Sequence, residues 1–333
     1  LYLSGYFGRD VFSFINSDND INIEIPWGNA TTSLRWNHLF NDKLFMNTSI
    51  IFSDYRFEFN IAQQEFELKI FSGINDWNTK IDFLYQPNQR HTIKFGTNYT
   101  YHEFTPGNAS GRSGDVVFEP DKIYKQYSHE AALYLSDDFE VTDIFKIHTG
   151  LRFSYFQELI TDSTDTEFSL NGGDLSSDRT GGKDYFGLEP RLTFRYKLNS
   201  TSSLKGAYTQ NYQYIHLAST SSVSLPTDLW VPSSSAIKPK FSDQYALGYF
   251  RNLNDNMYET SVEAYYKEMT NLIEYKEGVL PEDNTNSSSD DAFVFGDGNS
   301  YGIEFLVKKN KGKTTGWIGY TLSKTTRYFD EVN

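Results

Sequence analysis

His216 stands just ahead of a serine-rich run from Ser219 to Ser222, a neighbourhood from which a nucleophile and its base could be drawn. A working pair also needs an orienting acid and an oxyanion hole. The run supplies neither, so it reads as a serine-rich loop carrying a histidine, and no catalytic residue is expected. Asp18-Asn19-Asp20, Asp162 to Glu167 and Asp290-Asp291 offer oxygen ligands of the kind Ca²⁺ takes. None has EF-hand spacing, and solvated loop charge is the better reading. Gly172-Gly173 and Gly181-Gly182 fit no phosphate-binding fingerprint. The chain has no cysteine, which excludes a thiolate metal site, a cysteine nucleophile and a disulfide scaffold. No metal and no cofactor are expected. The strongest candidates for ligand contact are aromatic. Tyr212, Tyr214 and Trp230 flank or sit in a long connection over residues 215–240, and Phe293 and Phe295 sit in the next one. Aromatic faces presented by loops can stack on a sugar or an apolar ligand.

Composition narrows the partners. The 333 residues carry 30 Lys+Arg against 44 Asp+Glu, a formal charge of −14 that argues against gripping a nucleic-acid backbone. Aromatic residues make up 17% of the chain, far too many for a disordered one. A spanning helix needs about 20 apolar residues in succession, whereas the longest apolar run here is AALYL at 131–135.

Alternation with period two then appears in segment after segment. In residues 190–198, Leu192, Phe194, Tyr196 and Leu198 oppose Arg191, Thr193, Arg195 and Lys197, the pattern of a strand with one dry and one wet face. The same reading puts Lys94 and His102, Arg152 and His148, Arg191 and Arg195, and Glu263 on the wet faces of their strands. It predicts thirteen strands, at about 1–15, 30–40, 43–59, 76–87, 90–104, 125–136, 143–159, 185–198, 202–214, 241–253, 256–276, 299–309 and 313–328, with residues 60–75 as an extension of one hairpin. Short polar turns, such as Asn41-Asp42, Pro87-Asn88-Gln89, Ser136 to Asp143 and Asn199-Ser200-Thr201, alternate with long connections over 105–123, 160–184, 215–240 and 276–300. In an up-and-down sheet this sorts short turns to one end and long loops to the other, as in outer-membrane barrels. The expectation is all-β: an antiparallel up-and-down transmembrane β-barrel, with residues 1–333 as the central part of one barrel domain. The N-terminus LYLSGYFGRD reads as mid-strand, so the chain is expected to be cut from a larger barrel. His102 and the other wet-face residues then line the lumen, as polar lining rather than a metal site.

The run IKPKFSDQYALGYF at 237–250 resembles the N-x-x-L-K-P-E-x-S-x-x-Y-E-L-G-Y stretch of TonB-dependent outer-membrane receptors. Lys238, Pro239, Ser242, Tyr245, Leu247, Gly248 and Tyr249 fit, whereas Lys240 and Ala246 stand where the family usually has acidic residues. GLEPRLTFRYKLNSTSSLKGAYTQNY before it, and EAYYKEMTNLIEY and NSYGIEFLVKK…GWIGYTLSKT after it, are similar to the neighbouring strands of that family. LPTDLWVPSSSAIKP looks most like receptors of Bacteroidetes, possibly SusC-like. The resemblance implies a 22-stranded barrel with a globular plug and a segment that engages TonB–ExbB–ExbD, the plug and final strands lying outside this chain. It implies import of a siderophore, cobalamin, glycan or peptide across a bacterial outer membrane, amid lipid and lipopolysaccharide, with a SusD-like surface lipoprotein as a further partner. Lys94, His102, Arg152, Arg191, Arg195 and Glu263 would then face the plug. The rival readings are a structural barrel subunit that has lost transport, a soluble secreted β-sandwich or adhesin that binds glycans and, as a distant third, an outer-membrane enzyme.

Overall fold

The computed structural model describes residues 1–118, 125–159, 182–218, 228–276 and 292–330. Among them are sixteen strands. The first eight are β1 (Tyr2–Asn16), β2 (Ile21–Asn41), β3 (Leu44–Gln63), β4 (Phe66–Asn88), β5 (His91–Ser113), β6 (Val116–Phe118), β7 (Gln126–Glu140) and β8 (Phe145–Leu159). The others are β9 (Asp184–Lys197), β10 (Ser202–Gln213), β11 (Ile215–Ala218), β12 (Leu229–Pro232), β13 (Lys240–Leu253), β14 (Tyr258–Tyr275), β15 (Phe293–Lys309) and β16 (Gly316–Phe329). Fourteen form one sheet in which each long strand pairs antiparallel with its sequence neighbour. Only β6, hooked onto the end of β5, lies off the path, which leaves the thirteen long strands that alternation predicts. The sheet is open, with β1 and β16 as its edges. The remaining two strands, β11 and β12, form a separate hairpin.

Side-chain alternation gives the sheet two unlike faces. Leu133, Phe153 and Leu188 lie in one row across β7, β8 and β9, and all three are exposed. One residue along, Ala132, Ser154 and Gly187 make the next row, and all are buried. The outer face is therefore a broad apolar belt, which suits lipid rather than water. The inner face is small and polar.

The short turns lie at one end and carry their own chemistry. The Asn41 side chain accepts from the backbone N–H groups of Lys43 and Leu44, and Asn88 does the same for Arg90 and His91. Such Asx turns close a hairpin without help from the rest of the fold. Asn254, Asp255 and Asn256 turn the chain with positive φ angles of 50°, 52° and 62°, which these residues tolerate better than most.

Three expectations about strand ends need correction. Residues 21–29, outside the thirteen expected strands, are strand and pair with β1. Residues 105–113 continue β5 against β4 instead of opening a loop. Residues 136–140 belong to β7, so that turn starts later, at 141. In each case backbone pairing with a long neighbour carries the strand past its expected end. Residues 60–75 do form a projecting hairpin extension.

The connection between β10 and β13 folds inward as a flap. Its described residues Ala218, Leu229, Val231 and Ile237 share one buried apolar cluster with Phe57 of β3 and with Ile273, Tyr275 and Phe293 of β14 and β15. The main apolar core thus sits on the inner face, between flap and sheet. Ser233 N–H donates to the Tyr214 carbonyl at 2.7 Å, and the Ser234 hydroxyl accepts from the N–H groups of Ala236 and Ile237. The backbone at both ends of the flap is satisfied by these bonds, as buried backbone must be.

Candidate functional site

Beneath the flap, toward the long-connection end, lies a concavity of about 790 Å³. Five aromatic residues border it: Trp27 of β2, Tyr55 of β3, Tyr212 of β10, Tyr214 and Trp230 of β12. Three carboxylates join them, Asp76 of β4, Glu130 of β7 and Asp228 at the flap's edge. A second concavity of about 490 Å³, on the projecting hairpins, has no aromatic side chain in its lining. The first has the size and mixed lining of a small-molecule site.

A polar network holds the wall in place. His102 Nδ1 lies 2.7 Å from Asp76 Oδ1, and its Nε2 lies 3.8 Å from Glu130 Oε2 without a hydrogen bond. Arg152 stands 3.8 Å from Glu130 and 3.5 Å from Glu189, and Arg191 stands 3.7 Å from Glu189. Ser154, almost wholly buried, donates to Glu189 at 2.8 Å and takes the Tyr214 hydroxyl at 2.8 Å. With its proton committed to the carboxylate, the serine oxygen is the acceptor for the tyrosine. Tyr214 also stacks on Phe156, with ring centroids 5.1 Å apart and planes within 5°. The flap's entry is therefore pinned to the wall by the Tyr214–Ser154 hydrogen bond and the Tyr214–Phe156 stack.

The sequence-derived candidates divide. Tyr212, Tyr214 and Trp230 come together at the concavity. Tyr214 is buried, which is not the position of a membrane-interface anchor. Phe293 and Phe295 do not join them. They belong to β15 rather than to a loop, because FVFG at 293–296 pairs with residues 272–275 beyond a bulge near Asn271 (φ 56°). Phe293 is buried in the flap core against Tyr275, and Phe295 is exposed. Lys94, His102, Arg152, Arg191, Arg195 and Glu263 all fall on the inner face by register. His102 and Arg152 are in the network; Lys94 reaches Asp138 at 3.7 Å. His148 pairs with Asp138 at 2.9 Å. Among the described residues, no group of three or more His, Cys, Asp or Glu side chains could hold a metal ion. Ser219 to Ser222, Asp162 to Glu167 and Asp290-Asp291 lie outside the described residues. His216 instead faces Ser233, 3.0 Å from its Nε2. Asp18 and Asp20 occupy the turn between β1 and β2. Trp27, Tyr55, Asp76, Glu130 and Asp228 escape sequence reasoning. Their only signal is that Asp76 and Glu130 fall on the wet faces of their strands.

The sequence matches the family described as TonB dependent receptor-like, beta-barrel over residues 2–333. The chain belongs to this TonB-dependent receptor family. Its members are transporters of outer membranes and not enzymes. No curated protein matches the sequence. Among solved structures, the chain is similar to the pyoverdine outer membrane receptor FpvA from Pseudomonas aeruginosa (12% identity, TM-score 0.61, covering 98% of this chain and 54% of that one). It is also similar to the ferric yersiniabactin uptake receptor FyuA from Yersinia pestis (11%, 0.58, 98% and 52%). The copper transporter OprC gives 10%, 0.62, 97% and 54%. At such identities the likeness shows the fold. This TonB-dependent receptor chain spans about half the length of the solved structures it matches.

Proposed function

We propose that this chain forms the central strands of an outer-membrane barrel that imports a nutrient too large or too scarce for porins. The observation that carries this reading is the flap. A connection at the long-loop end turns into the lumen side and roofs an aromatic concavity, which is where a ligand arriving from outside would be held. Further strands would close the unpaired edges of β1 and β16, since the hydrocarbon core leaves no backbone group unpaired, and the resemblance to the receptor family implies 22 in all. A plug would fill the lumen against the inner-face residues Lys94, Arg195 and Glu263. Capture at the concavity, sensing by the plug and withdrawal of the plug by TonB–ExbB–ExbD would follow in order. The relatives named for pyoverdine, ferric yersiniabactin and copper support scarce-nutrient import in general. The LPTDLWVPSSSAIKP phrase supports a Bacteroidetes, SusC-like branch with a SusD-like lipoprotein over the barrel.

The test is accumulation of labelled ferric chelates, cobalamin, oligosaccharides and peptides in cells with and without the gene, each with and without a protonophore. A substrate whose uptake needs both the gene and the proton gradient is expected. Uptake of every substrate unchanged by gene loss, with the protein in the outer-membrane fraction, would leave a structural barrel subunit in its place.

A further inference from the structure

Three features line up along one seam of the wall, at its long-connection end. The ladder between β9 and β10 stops at the pair Arg191 and Thr209, although β9 runs on to Asp184 against β8 and β10 runs on to Gln213 against β13. The sheet is therefore forked above that pair. Pro190, which has no N–H to give a ladder, stands at the fork. Past it the two strands meet through side chains. Arg191 donates to Asn211 Oδ1 at 3.2 Å, and a Cβ at Gly187 would stand 2.7 Å from the Tyr212 ring and 2.7 Å from the Tyr214 hydroxyl. Parting β9 from β10 here breaks no bond of the ladder.

On the inside, Tyr212 and Tyr214 bring the aromatic concavity up to the fork. On the outside, at the foot of the fork, lies a groove of about 420 Å³ whose lining includes Leu192, Phe194, Gly206, Tyr208, Tyr245 and Leu247. Register puts these residues on the outer face with Leu188. Leu192 and Tyr208 pair with each other directly below the end of the ladder. Phe186, Leu188 and Leu192 are exposed along the β9 side of the seam. The groove thus opens in the apolar belt, where the neighbour is a lipid chain and not a water-borne solute.

We infer that this seam is a side entrance, and that the ligand it admits is an amphiphile of the outer leaflet, an alkyl chain bearing a polar head. The chain lies in the outer groove. The head passes between β9 and β10 into the concavity, where aromatic faces stand beside the amides of Asn29 and Gln213. The inference rests on the import reading above and specifies the class of ligand and its route. A ligand without an alkyl chain gains nothing from an opening at the level of the belt and would come over the top of the wall instead.

The test uses the full-length protein in phospholipid vesicles. The probe is a lysophosphatidylcholine with a photoreactive diazirine on the chain carbon next to the head, and mass spectrometry maps its adducts. Adducts are expected on Tyr212 and Trp230 as well as on the belt residues Leu133 and Phe153. The same head and diazirine without the alkyl chain should label Tyr212 and Trp230 about tenfold less, since that probe does not partition into the belt. The chain has no cysteine, so Leu188→Cys with Gln210→Cys, one on each side of the fork, can be joined by a bismaleimide. Joining them should remove most of the adducts on Tyr212 and Trp230 and leave those on the belt, with the heat-modifiable gel band as the check that the barrel is intact. No adduct on Tyr212 or Trp230 in the parent, equal labelling by the chainless probe, or adducts unchanged by the bridge would overturn the inference. Labelling is read without transport. Gene- and gradient-dependent uptake of a soluble nutrient, with labelling confined to the belt, would overturn the side entrance while leaving the import reading in place.

Discussion

Ser154 and Tyr214 are sixty residues apart in the chain and 2.8 Å apart in space. The contact joins the barrel wall at β8 to the point where the chain leaves β10 for the flap. Removing the hydroxyl alone, as in Tyr214→Phe, should cost the flap about 1 kcal/mol, the net worth of one hydrogen bond. Tyr214→Ala also loses the stack on Phe156 and the buried ring, and should cost about 3–5 kcal/mol. Amide hydrogen exchange over residues 229–232 would report both, the second variant far more strongly. Equal exchange in both variants and the parent would mean that Tyr214 does not hold the flap.

Gly187 lies in the same corner. A Cβ there would stand 2.6 Å from Ser154 Oγ, 2.7 Å from a Tyr212 ring carbon and 2.7 Å from the Tyr214 hydroxyl. Gly187→Ala should therefore displace the two tyrosines and destabilise the flap by about 1–3 kcal/mol, as overpacking does. Gly316→Ala, where nothing lies within 4 Å, is the matched control. Limited proteolysis in the flap should rise in the first variant and stay at the parent rate in the second.

The flap should also loosen in acid. His216 is fully buried, its Nδ1 has no hydrogen-bond partner among the described residues, and burial together with the Lys240 charge holds its pKa down at about 3. The folded flap thus prefers the neutral ring, and protonation favours the open form. The stabilisation is complete above the ordinary histidine value near 6.5 and falls with pH below it, by about 1.4 kcal/mol per unit until about pH 3. At pH 5 the loss is about 2 kcal/mol. Trp230 fluorescence should shift between pH 6.5 and 4.5 in the parent, and the shift should shrink in His216→Gln. A shift of the same size in the variant would assign it to another group.

The two sheet faces should answer oppositely to charge. Leu188→Lys places an ammonium on the exposed apolar belt and should cost up to about 2–4 kcal/mol, depending on its depth in the bilayer. Thr193→Lys lies on the inner face beside Ala207 and should be close to neutral. Denaturant titration of the barrel folded into vesicles would compare them. Equal costs would mean that the outer face does not meet lipid.

Strand number and face were readable in the sequence because both are local. Period-two alternation needs only a handful of neighbouring residues, and asparagine turns such as Asn41 and Asn88 close through their own side chains. Strand ends were less readable. Ile21, Ile23, Ile25 and Trp27 alternate with Asn22, Glu24 and Pro26, a local signal of the strand they form, whereas 105–113 lacks apolar alternation and is strand because β4 pairs with it. Phe293 and Phe295 were misplaced for the same reason, since β15 begins where the end of β14 allows it.

The sequence by itself determined an up-and-down antiparallel sheet with one apolar and one polar face, and it singled out Tyr212, Tyr214 and Trp230. Only the tertiary structure decided that the connection after β10 turns inward and that Trp27 and Tyr55 from distant strands complete the aromatic wall. Asp76, Glu130 and Asp228 meet there by the same route. The physical reason is range. Alternation and turn chemistry act over a few residues, whereas the flap is held by Phe57, Ile273 and Phe293, contacts whose closure no local pattern encodes.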